Sequence, residues 1–149
     1  KRNIYELYKQ PTYITYHNPA SRKITVEIII NYWNVLSSSK RNTYEIFLLL
    51  KTLTLEKYYK SIVIYLSSGE VKKLELIRLI LEKKKFWILD EPYNHLDDKS
   101  IAILNQTFID HSNNGGMILF ASHFNPNIDN LEILDFNWYD YIKKNITVF

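Results

Sequence analysis

The stretch FWILDEPYNHLDDKS, Phe86 to Ser100, decides how the rest of the chain is read. Four apolar residues run without a break into Asp90 and Glu91. A proline follows, and two more carboxylates, Asp97 and Asp98, come soon after. A short continuous apolar run suits a strand covered on both faces. Ending such a strand on adjacent carboxylates is costly unless something cationic meets them. A magnesium ion and a nucleotide would do so, and the flanking sequence is read for the rest of such a site.

Moving outward, Ser67 or Ser68 opens an amphipathic helix, with Val71, Leu74, Ile77, Ile80 and Leu81 on one face and Lys72, Lys73 and Glu82 elsewhere. Beyond the central stretch a helix is predicted from about Asp97 to Asp110. Asn113-Asn114-Gly115-Gly116 reads as a turn. MILFAS (117–122) reads as a second buried strand and LEILDF (131–136) as a third. Helix, buried strand, helix, buried strand is the rhythm of an α/β fold with a mainly parallel sheet. Such sheets carry ligand chemistry at the carboxyl ends of their strands, where Asp90 and His123 fall.

Upstream, TYITY (12–16) alternates as a short strand, and HNPAS (17–21) is a turn from its Asn-Pro pair. Thr25 is placed to cap a helix from Val26 through Trp33 and Leu36. SSSKRN (37–42) is a polar break, and 43–52 and 55–65 read as shorter helical pieces.

Composition bounds these readings. With 149 residues, 46% hydrophobic and 23% charged, the chain suits one folded domain. A net charge of +3 does not call for nucleic acid. Without cysteine there is no disulfide framework and no thiolate metal site. No apolar run approaches the ~18 residues of a membrane span. Lys, Asn, Ile, Tyr and Phe abound while Gly and Ala are scarce, which is the residue set of A/T-rich codons. That is a genome signature of an organelle or a reduced bacterium.

Four stretches in fixed order carry a resemblance: ITYHNPASRKIT (14–25), YLSSGEVKK (65–73), FWILDEPYNHLD (86–97) and MILFASH (117–123). Together they resemble the C-terminal part of an ABC-type ATPase. LSSGE looks like its signature loop, WILDEP like the Walker B strand, NHLD like the D-loop and ASH like the switch histidine. HNP looks like a Q-loop whose glutamine has become Asn18. The branch it resembles most is the ATP-binding subunit of the heme exporter of cytochrome c maturation, through WILDEP, HNP followed by SRKIT, and Gly115-Gly116. EPYNHLD is also similar to the soluble translation-factor branch, whose members carry two nucleotide domains in one chain.

The resemblance implies an α/β, P-loop NTPase-like fold. It has a helical subdomain near 26–66, and the signature helix, Walker B and switch regions fill 67–149. It implies ATP and Mg²⁺ as cofactors. Asp90, and Asn18 if its shorter side chain reaches, would hold the metal. Glu91 would orient or deprotonate the attacking water, and His123 would bond the γ-phosphate. Ser67, Ser68, Gly69 and Glu70 would face the nucleotide of a second nucleotide-binding subunit, and Asp97 would lie in the D-loop between subunits. Each has a plainer alternative: strand-end carboxylates, a serine N-cap, a surface histidine. His17, His95 and His111 keep the plain reading, and Arg78 is structural. Tyr32, Trp33, Tyr58, Tyr59 and Tyr65 fall where the family docks on transmembrane subunits, although codon bias and core packing account for them equally.

The departures are specific. No GxxxxGK[ST] occurs, and Gly69 is the first glycine, so the N-terminal Walker A region is absent from these residues. Ser68 stands for one signature glycine, and Glu70 for the usual glutamine. One expectation is a split ATPase completed by a Walker A-containing partner chain. It would sit on the matrix face of the mitochondrial inner membrane or the cytoplasmic face of a bacterial one. The other is a catalytically inactive structural subunit of a membrane complex.

Overall fold

The computed structural model describes residues 12–14, 23–37, 40–82, 84–126 and 128. The turn at 17–21, with Asn18, and the expected strand at 131–136 lie outside the described residues. In chain order the elements are β1 (Thr12–Ile14), α1 (Val26–Leu36), α2 (Thr43–Thr52), α3 (Ser68–Glu82), β2 (Phe86–Asp90), α4 (Asp98–Asn113) and β3 (Met117–Ala121). The three strands form one sheet in the order β1-β2-β3, and both pairings are parallel. The expected α/β fold with a parallel sheet is therefore present.

Local chemistry explains the helix starts. Thr25 accepts a hydrogen bond from the Ile28 amide, as its position predicts. Asn42 and Glu45 form a reciprocal capping box at α2. Asp97 caps α4 by accepting from the Ser100 amide at 2.8 Å. The polar break after α1 also has work to do. Buried Ser37 donates its hydroxyl to the Leu81 carbonyl at 2.6 Å, tying the end of α1 to the end of α3.

Several expectations need correction. Residues 55–65 do not form one helical piece but two short 3₁₀ turns, Glu56–Tyr58 and Val63–Tyr65. The carbonyls of Tyr59 and Ser61 instead receive the amides of Glu27 and Val26. They thereby satisfy orphan donors at the start of α1. Trp33 belongs to the core, and Tyr58 and Tyr59 pack against it.

α3 is buried on more than one face. Leu76 and Leu79 join Leu74, Ile77 and Leu81 in the core, and Lys72, expected elsewhere, is buried with them. α1 packs on this helix, and so does α4, so a single apolar stripe is not enough.

β3 ends at Ala121 and is not covered on both faces. Ile118 and Phe120 pack against the core beneath α4, whereas Met117 and Leu119 are 53% and 52% exposed.

Beneath the sheet's amino end, the Trp87 indole stacks on the His111 imidazole with ring centroids 3.6 Å apart. The Asn113–Gly116 turn allows this. Gly115 takes φ 77°, and a Cβ on Gly116 would lie 2.1 Å from His111 Nε2. Burial pushes His111 below its ordinary 6.5, partly offset by hydrogen bonding toward the Lys85 and Met117 backbone. The folded state therefore favours the neutral ring. This contribution to stability is present above pH 6.5 and is lost as pH falls through the lowered folded value. Urea unfolding between pH 7.5 and 5 is expected to show a falling midpoint, with a shallower slope in His111→Gln. Equal slopes would remove His111 as the cause.

Candidate functional site

The carboxyl ends of β2 and β3 meet because the strands pair in register, Asp90 opposite Ala121. The Glu91 amide donates to the Ala121 carbonyl at 2.9 Å, extending the ladder by one bond. Glu91 then takes φ 43°, a left-handed conformation that side-chain-bearing residues seldom adopt. Strain of this kind persists only where surrounding bonds hold it. The turn aims the carboxylate across the sheet end. Glu91 Oε2 accepts from the Ser122 hydroxyl at 3.4 Å and from the His123 amide at 3.3 Å, and His123 Nε2 lies 3.5 Å from Oε1. Glu91 and His123 are thus brought together although far apart in sequence. The His123 side chain is 98% exposed, with a face open to a ligand. Asp90 is exposed at the same strand end.

Among the described residues no three His, Cys, Asp or Glu side chains are grouped to cage a metal. That donor set does not exclude Mg²⁺, which uses one or two carboxylates and takes its remaining ligands from water and phosphate. Asp90 fits that demand.

The second cluster is the amino end of α3. Ser67 and Glu70 form a capping box: the Ser67 amide donates to Glu70 Oε2 at 2.7 Å, and the Glu70 amide donates to Ser67 Oγ at 3.3 Å. Hydrogen bonds from the Tyr58 hydroxyl and from Ser67, with Lys57 nearby, hold the Glu70 carboxyl below its usual value against a desolvation cost. Ser67 and Ser68 are exposed.

This turn is joined to the 94–97 loop of the same chain. Lys73 Nζ lies 2.6 Å from Asp97 Oδ2. That contact and the Ser100 bonds hold the Asp97 carboxyl well below the ordinary carboxylate range. A Cβ on Gly69 would lie 2.8 Å from the His95 carbonyl oxygen, closer than such contacts allow. Gly69 is therefore required by packing within the chain, whatever else it touches. Gly69→Ala is expected to lower the urea midpoint of the chain without any nucleotide present. An unchanged midpoint would show that the 94–97 loop yields freely.

The sequence did not pair Lys73 with Asp97, and its periodicity set Lys72 off the apolar face. The signal for Lys72 was available, since Leu76 and Leu79 follow it at i+4 and i+7. Ser122 escaped as a partner of Glu91 because only the sheet register brings them together.

The sequence profile described as ABC transporter matches residues 5–94. The chain is 38% identical over 68 residues to the cytochrome c biogenesis ATP-binding export protein of Aliivibrio fischeri, covering 46% of this chain and 33% of that protein. It is 33% identical over 94 residues to the protein of that name in Haemophilus influenzae, covering 63% and 44%. It therefore spans less than half the length of either relative. The solved ATP-binding subunit of an ABC transporter superposes with a TM-score of 0.65 at 23% identity, over 76% of this chain and 49% of that one. At that identity the match concerns the fold.

Proposed function

The chain belongs to the ABC transporter family, and we propose that it is the C-terminal part of a split ATPase subunit that powers heme handling in cytochrome c maturation. The observation that carries this reading is the convergence of Glu91 and His123 at 3.5 Å on the strand end that also bears Asp90. In this reading Glu91 orients the attacking water and accepts its proton, and His123 donates to the terminal phosphate. Bound Mg²⁺ would neutralise charge on the phosphate oxygens, with Asp90 placed to hold it and Asn18 assigned the same duty. Ser67, Ser68 and Gly69, at a helix amino end, face the nucleotide of a second nucleotide-binding subunit. Asp97 is assigned to the boundary between the two subunits. Residues 26–66 act as a helical subdomain and 67–149 as the signature, Walker B and switch regions.

The phosphate cradle has to come from elsewhere, because no GxxxxGK[ST] occurs among these residues. We assign it to a Walker A-containing partner chain. The half-exposed Met117 and Leu119 of β3 support a partner that covers this sheet face. On the helical side, exposed Ile28, Tyr32 and Val35 of α1 suit docking to transmembrane subunits. No helix among the described residues is long and apolar enough to cross a membrane. The complex is assigned to the matrix face of the mitochondrial inner membrane, or to the cytoplasmic face of a bacterial one.

The second reading, a catalytically inactive structural subunit, is favoured by Glu70. Its carboxylate already occupies the amino end of α3, where an incoming phosphate would meet like charge. Co-expression with a chain carrying GxxxxGK[ST] decides between the two. A co-purifying, ATP-hydrolysing complex supports the split enzyme, and a stable complex without hydrolysis supports the structural subunit.

A further inference from the structure

The carboxyl end of β2 is met from α3 by a buried ammonium, at the Asp90 carbonyl oxygen. We propose that Lys72 is a positioning residue that sets the Asp90–Glu91 peptide group and so aims the Glu91 carboxylate. This rests on the role given to Glu91 above.

Lys72 is 6% exposed, the most deeply buried charged residue among those described. Its ammonium lies 3.5 Å from the Asp90 carbonyl oxygen and 3.5 Å from Glu75 Oε2. Packing does not account for a lysine here. Its flank of α3 continues with Leu76 and Leu79, both buried, and an apolar residue would fill the place without desolvating a charge.

The geometry gives it a task. The peptide group joining Asp90 and Glu91 is gripped at both ends. Its N–H donates to the Ala121 carbonyl at 2.9 Å, and its C=O receives the Lys72 ammonium. The orientation of that peptide plane sets φ of Glu91, which stands at 43°. One grip alone leaves the plane free to rotate toward an ordinary conformation, and that rotation would swing Glu91 away from Ser122 and His123. Glu75 supplies the counter-charge that lets the ammonium remain buried. A cavity of about 20 Å³, the room of about one water, is bordered by Lys72, Glu75, Leu89 and Pro92.

The test uses the full chain with Lys72→Met and Lys72→Arg. Amide hydrogen exchange at Glu91 is read beside the urea unfolding midpoint. In Lys72→Met the Glu91 amide is expected to exchange about tenfold faster or more while the midpoint holds, because the opening is local. Lys72→Arg should restore protection. In the complex with a Walker A chain, Lys72→Met should lower kcat about tenfold with KM for ATP unchanged, and arginine should rescue it. Wild-type protection at Glu91 in Lys72→Met overturns the proposal, and so does a uniform loss of protection with a lower midpoint. If the wild-type complex hydrolyses no ATP, the functional reading fails, and the exchange measurement still decides Lys72.

Discussion

These 149 residues by themselves are expected to bind ATP at least about a thousandfold more weakly than when assembled with a phosphate-binding loop. A glycine-rich loop contributes several backbone N–H groups and a lysine ammonium to the phosphates. Charge-assisted hydrogen bonds are worth roughly 1.5–3 kcal/mol each, so losing three removes about 4.5–9 kcal/mol. Each 1.4 kcal/mol is about a factor of ten in affinity. What remains near the strand end is acidic: Asp90 is exposed there beside Glu91. Without a bound cation these groups repel a polyphosphate. A calorimetric titration of the chain with Mg·ATP, alone and with a chain bearing GxxxxGK[ST], measures the difference. Tight binding by the chain alone would sink the split-enzyme reading.

In the completed ATPase, Glu91→Gln is expected to lower kcat by about 10²–10⁴ while ATP binding persists. Glutamine keeps the size of the side chain, and its carbonyl oxygen can still accept from Ser122 or the His123 amide. It cannot take a proton from water. The loss therefore falls on the chemical step and not on assembly. A kcat within a few-fold of wild type would show that Glu91 is a structural strand-end carboxylate. Loss of ATP binding along with kcat would point instead to collapse of the left-handed turn.

The family and the parallel fold were legible because their signals are local in sequence. A continuous apolar run ending in Asp90-Glu91, a capped helix after Ser67 and a Gly-Gly turn each rest on neighbours within a few residues. The helix starts at Thr25 and Asp97 were readable for the same reason, since a cap is decided by the side chain and an amide three residues on. Residues 55–65 were misread because their carbonyls serve the start of α1, which no local pattern reveals. Coverage of β3 was misread because an apolar run states what a strand tolerates, not what lies against it.

The sequence by itself determined the chemistry available. It placed Asp90, Glu91 and His123 at strand ends, Ser67 and Gly69 at a helix start, and it contained no phosphate-binding loop. Only the tertiary structure decided which of these groups meet. The β2–β3 register brings Ser122 and His123 onto Glu91 from more than thirty residues away. The packing of α3 under β2 puts the Lys72 ammonium on the Asp90 carbonyl, and the approach of α3 to the 94–97 loop pairs Lys73 with Asp97 and leaves room only for glycine at 69. The physical reason is the range of each interaction. Caps, turns and hydrophobic periodicity act within one or two turns of chain, whereas the grip on a single peptide group depends on ångström-scale placement of elements that meet only after the core has packed.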